Sequence, residues 1–161
     1  MRVLLATLAT SVLLISAARA QTAEVSAKPL TDTDIQLMRS DIQAQKEQII
    51  AHTMQFTDAE STAFWPVYRD YARDQQAIGS ERVDLIKDYA KSFDTMDDAK
   101  AKDLTERLLK LESKNVDLRQ TYWPKFAKAL GAKRAAKFYQ VDNRLTMMVN
   151  VQLASEIPLI P

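Results

Sequence analysis

The residues able to do chemistry are few and scattered. His52 is the only histidine in 161 residues, and there is no cysteine. Glu47, Met54 and Asp58 stand near it in the sequence. A metal bound there would draw on one imidazole, two carboxylates and a thioether, a thin donor set where convergent His, Cys or carboxylate ligands are the rule. That set supports one functional reading, a periplasmic metal or stress sensor domain that signals to a membrane partner. Met147 and Met148 are adjacent, so on a helix they point to different faces and read as packing residues. Nucleophilic catalysis needs a Ser, Thr or Cys beside a base and an orienting group. No Gly-x-Ser-x-Gly turn is present. Asp97 and Asp98 pair two carboxylates, but at a helix start, where negative charge already has a structural purpose. The expectation is a non-enzyme with no catalytic residue, no metal site and no cofactor.

The aromatics carry more. Phe64-Trp65-Pro66-Val67-Tyr68 is echoed by Tyr122-Trp123-Pro124-Lys125-Phe126. Both tryptophans fall beside the main apolar stripe of their helices. There they either fill a core around two proline kinks or widen an apolar face toward a partner, a use that suits a large ring with a polar tip. Phe64, Trp65, Tyr68, Tyr122, Trp123 and Phe126 are therefore the candidate protein-binding residues.

Helices must position these groups. Two glycines in the chain exclude turn-rich β architectures and any glycine-rich phosphate loop. Ile35, Met38, Ile42, Ile49 and Phe56 recur at helical spacing, predicting a first helix over 33–52. Thr57-Asp58-Ala59-Glu60 is a capping box and opens a second. Phe64, Tyr68, Tyr71, Ile78, Leu85 and Tyr89 continue its stripe, interrupted by Gln75 and Arg82. Unbroken to Phe93, it would be on the order of 50 Å long. Pro66 lies inside it and predicts a kink near 62–65. Asp94 or Thr95 is the expected cap of a third helix, whose seam reads Ala101, Leu104, Leu108, Leu111, Asn115, Leu118, Tyr122. Asn115 either sets dimer register from a buried seam position or sits at the wet edge of a bundle. Pro124 predicts a second kink and Gly131 a break. A last helix follows over 132–154, with Phe138, Val141, Leu145, Met148 and Val149 inward. The fold class is all-α: four long helices in an extended antiparallel, hairpin-like bundle, two of them kinked at Pro66 and Pro124.

The N-terminus reads as a leader. Met1-Arg2 precedes an apolar run from Val3 to Ala18, and Ala18-Arg19-Ala20 offers a small-x-small cleavage pattern before Gln21. The run is short of the roughly 20 apolar residues that span a bilayer. The expected organisation is a signal peptide over 1–20 cleaved after Ala20, a flexible lead-in over 21–32, one helical domain over 33–156, and an apolar proline-containing tail over 157–161. The tail is apolar enough to be expected to dock. Export would place the protein in the periplasm or outside the cell, without stable membrane insertion. The whole chain has net charge +1; loss of Arg2 and Arg19 leaves 20 basic against 21 acidic residues, net −1. So even a balance lacks the clustered cations that non-specific nucleic-acid binding needs. With no cysteine, stability must come from packing alone.

Phe56-Thr57-Asp58-Ala59-Glu60 is close to Leu-Thr-x-x-Gln, and Leu130-Gly131-Ala132-Lys133-Arg134-Ala135-Ala136-Lys137-Phe138 is similar to a later helix start. On these segments the chain resembles the periplasmic LTxxQ proteins, the Spy and CpxP group. It also resembles exported bacterial proteins that carry a Phe-Trp-Pro-x-Tyr segment. The LTxxQ resemblance covers about 34–153 in architecture and two short pieces in motif. It implies a thin, curved, antiparallel homodimer that holds unfolded envelope clients without ATP. Glu60 replaces the motif's Gln, the second segment lacks its Thr, and a near-neutral chain departs from that group's cationic cradle. Charge-steered capture is thereby put in doubt, and an aromatic grip would have to replace it. The leading expectation is a chaperone-like or envelope-stress protein that grips envelope protein clients, unfolded or specific, through an aromatic helix face.

Overall fold

The computed structural model describes residues 32–160, with side chains from residue 41 onward except Glu156. The leader, nearly all of the lead-in, and the side chains of Ile35 and Met38 lie outside the described residues. The chain forms α1 (Asp32–Met54), α2 (Asp58–Ser92), a 3-10 turn (Phe93–Thr95), α3 (Asp98–Leu130) and α4 (Ala132–Glu156). The described residues contain no strand. α2 packs on α3, α3 on α4, and α4 on α1. Cross-contacts fix α2–α3 and α1–α4 as antiparallel pairs. Asp74 meets Tyr122 while Asp88 meets Lys100, and Met54 meets Arg134 while Lys46 meets Asp142.

Local chemistry sets the boundaries. Thr57 accepts the Glu60 N–H at 3.3 Å, and Glu60 accepts the Thr57 N–H at 2.9 Å, so the capping box that opens α2 is complete. The Thr57 N–H, aided by Arg134, holds the Glu60 carboxyl below the ordinary carboxylate range. The cap of α3 is Asp97, three residues beyond the expected Asp94 and two beyond Thr95. Its carboxylate accepts the Lys100 N–H at 2.7 Å, while Asp94 and Thr95 are spent in the 3-10 turn. The helices run on through Pro66 and Pro124. At Gly131, φ is +75°, a conformation costly to any residue with a Cβ, and α3 turns there into α4.

Two apolar clusters lie along the molecule. The larger gathers Ile50 and Met54 of α1, Phe64, Tyr68 and Tyr71 of α2, Tyr122, Phe126 and Leu130 of α3, and Ala135 and Phe138 of α4. The smaller, toward the α2–α3 turn, holds Ile78, Leu85, Leu104 and Leu111. There Lys100 and Arg107 of α3 both bind Asp88 of α2, at 2.9 and 2.5 Å, and lower its carboxyl's pKa. Five expected core positions are corrected. Ile42 and Ile49 are exposed, because α1 is rotated to bury Ile50 and Met54 instead. Leu108 lies on the exposed flank of α3, and Met148, 69% exposed, and Val149 face outward toward the far end of α4. The tail docks by one hydrogen bond, from Tyr89 Oη to the Pro158 carbonyl at 2.7 Å, and leaves Leu159 in solvent.

Gly79 lies inside α2, and a Cβ there would meet nothing within 4 Å. Gly79→Ala should therefore gain about 1 kcal/mol, the difference in helix propensity. That corresponds to a rise in Tm of about 3 °C for a domain of this size, measurable by circular dichroism.

Candidate functional site

Burial separates the six aromatic candidates. Phe64, Tyr68, Tyr122 and Phe126 are buried, which corrects their reading as a contact surface: in the closed fold they have no area to offer a partner. They are instead the centre of the core. Phe64 lies 5.5 Å from Phe126 across α2 and α3, and Phe126 lies 4.5 Å from Phe138 of α4. Trp65 is half-buried, edge-on to Phe56 and Tyr68. Trp123 is 40% exposed, its ring centre 5.7 Å from that of Tyr139 in an edge-to-face arrangement.

Trp123 is not alone on the surface. Leu109 and Val116, 57% and 51% exposed, precede it at seven-residue steps on α3. This spacing lines the three up along one flank of the helix, away from the inward seam of Leu104, Leu111 and Tyr122. On α4, Met147, Met148 and Val151 are also exposed. Sequence reading missed the row because it followed the stronger seam; Leu109 and Val116 stand beside seam residues and carry no separate signal. Asn115 is partly buried and donates to its own Leu111 carbonyl at 3.0 Å, one turn back along α3.

A second feature is polar and internal. Asp142 is completely buried. Tyr71 Oη donates to its Oδ2 at 2.8 Å, and Lys46 Nζ lies 3.3 Å from Oδ1, an ion pair without hydrogen-bond alignment. Lys46 also donates to Gln75 Oε1 at 3.1 Å, and Gln75 Nε2 donates to Tyr71 Oη at 3.3 Å, closing a ring across α1, α2 and α4. Gln43 donates to Tyr68 Oη at 3.3 Å beside it. Burial, and then the Asp142 charge, push the Tyr71 hydroxyl far above its ordinary range; burial likewise raises Tyr68. Asp142 and Tyr71 are buried, and Lys46 and Gln75 lie at the partly exposed side of the ring. The ring ties α1 and α4 to α2.

Burial also pushes Tyr122 and Tyr139 up to about 12, Tyr122 with help from Asp74 at 2.6 Å. A phenol raised in the folded state contributes stability below its ordinary value of 10.0, and that stability is lost as the pH climbs through the raised value. Tyrosinate absorbance should therefore lag free tyrosine and rise together with loss of helical circular dichroism near pH 12. Early, non-cooperative ionisation of every tyrosine would contradict this burial.

The metal reading finds little geometry. His52 is exposed while Met54 is buried, so they face opposite ways. Among the described residues, no group of three or more His, Cys, Asp or Glu comes together. No described helix is long and apolar enough to cross a membrane. Comparison of the chain with protein-family models, with curated proteins and with solved structures gives no match.

Proposed function

We propose that this is an exported, non-enzymatic, protein-binding protein of the bacterial envelope, chaperone-like or stress-related. It engages envelope proteins through apolar helical surface and works as a homodimer. The observation that carries the reading is the exposed row Leu109, Val116 and Trp123 on α3. Three large apolar side chains aligned on one helix flank are costly to leave in water and suit a protein partner. Export is supported by the leader pattern, and the chaperone class by the Thr57–Glu60 helix start. The grip is apolar, since without Arg2 and Arg19 the 22 Lys and Arg fall to 20 against 21 acidic residues, a balance that offers no net positive charge to steer clients.

The test is light scattering from an unrelated unfolding client, with and without stoichiometric protein and with no nucleotide. Aggregation should be suppressed. Val116→Ser with Trp123→Ser should abolish most of that suppression at unchanged helicity. No suppression across several clients would overturn the general chaperone reading and leave one specific partner, to be found by cross-linking in the envelope.

A further inference from the structure

We propose that α1 is a releasable cover. It swings away about Gln55 while α2, α3 and α4 stay packed, and it uncovers the Tyr68 side of the aromatic core. Its purpose depends on the protein-binding reading above; its mechanics do not.

The attachment of α1 is uneven. Among its described side chains, only Ile50 and Met54 are buried apolar anchors, both in its last two turns. Farther back it is held by Lys46 and Gln43 through the polar ring, and Ile42 and Ile49 face outward. A buried ion pair gives little net attraction, because both charges must be stripped of water to form it. The pair therefore adds little to the hold on α1, whereas removing Lys46 alone strands the buried Asp142 charge and favours release, which returns that charge to water. Its C-terminal carbonyls are capped from α4: Arg134 donates to the Met54 carbonyl at 2.9 Å and Lys137 to that of Thr53 at 2.8 Å. Water can replace both donors when the helix leaves.

The hinge is equally defined. Gln55 has φ +47°, in the left-handed region, and it is the only non-glycine residue there among those described. The next residue, Phe56, is pinned to α2, 4.5 Å from Phe64. α2 has its own complete cap and needs nothing from α1 to begin. The other three helices hold each other by rings that α1 does not supply: Tyr71 on Tyr122 at 5.4 Å and Phe126 on Phe138 at 4.5 Å. Opening therefore breaks one layer and leaves the remainder joined, a sub-global unit.

Hydrogen exchange of the full protein, followed by mass spectrometry, tests the mechanics. Amides of α1 over 43–54 should exchange at least about tenfold faster than those of α3 over 118–126. Phe126→Leu weakens the closed and open forms alike, so it should speed α3 on the order of tenfold and leave α1 unchanged. Equal acceleration of both helices would mean that α1 opens only by global unfolding, and would overturn the proposal. The purpose is read separately. Lys46→Met, which loosens the cover, should increase client holding in the scattering assay, whereas Trp123→Ser decreases it. Separate exchange of α1 with unchanged holding in Lys46→Met would overturn the purpose and leave the hinge standing.

Discussion

Phe138→Ala is expected to lose about 4 kcal/mol of folding stability, in the upper part of the range for deleting a buried aromatic ring. Phe138 is fully buried and is the point where three helices meet. Its ring lies 5.0 Å from Phe64, 4.5 Å from Phe126 and 6.0 Å from Tyr68. The neighbours are rigid planar groups held by their own edge-to-face contacts, so they cannot collapse into the space left behind. Dispersion lost on every side adds to the transfer term. Chemical denaturation is the measurement: the midpoint should fall with an unchanged slope. Trp123→Ala is the control. With 40% of its area already in water, its loss should cost under about 1 kcal/mol. Similar losses at both positions would mean that Phe138 is not the centre of the core. Against a typical total of about 5–15 kcal/mol, the Phe138 loss alone could leave the fold marginal.

The sequence and the structure agree most where the physics is local. The α2 stripe from Phe64 to Leu85 is buried as its spacing predicts, the capping box forms, and Gly131 separates α3 from α4. The errors are of another kind. In α1, Ile49 and Ile50 are both apolar neighbours, and spacing alone cannot decide which one faces inward; the partners α2 and α4 decide it. Asp97 replaces Asp94 as a cap because the 3-10 turn uses up the earlier residues, which no capping rule foresees. The aromatics read equally well as core or surface, since a ring on a helix stripe looks the same until its neighbours are known. Asp142 was legible in principle. It falls four residues after Phe138 on the inward stripe of α4, as Gln75 does four residues after Tyr71 on α2, and two polar interruptions on facing stripes are what a buried polar ring requires. Lys46 gave no such signal, because a lysine on the first helix reads as solvated surface.

That ring sets the second large effect. Lys46→Met should cost about 3–5 kcal/mol, the range for removing one partner of a buried pair. The Asp142 carboxylate is then left wholly buried with only the Tyr71 hydroxyl to face it. Asp142→Ala should cost less. It strands the Lys46 ammonium instead, whose side chain is already 12% exposed and carried on a long flexible stem that can reach water. The combination Lys46→Met with Asp142→Leu should recover much of the loss, since no charge remains to be kept from solvent and apolar packing replaces the pair. The three variants with the wild type form a double-mutant cycle, and denaturation midpoints supply its four corners. A coupling of more than about 1 kcal/mol is expected, with Lys46→Met the worse single change. Additive losses would show that Lys46 and Asp142 are neighbours without interacting. A larger loss at Asp142 than at Lys46 would show that the carboxylate is serving Tyr71 and α2 rather than α1. In either case the outcome identifies which helix the buried charge holds in place, because each of its partners arrives from a different one.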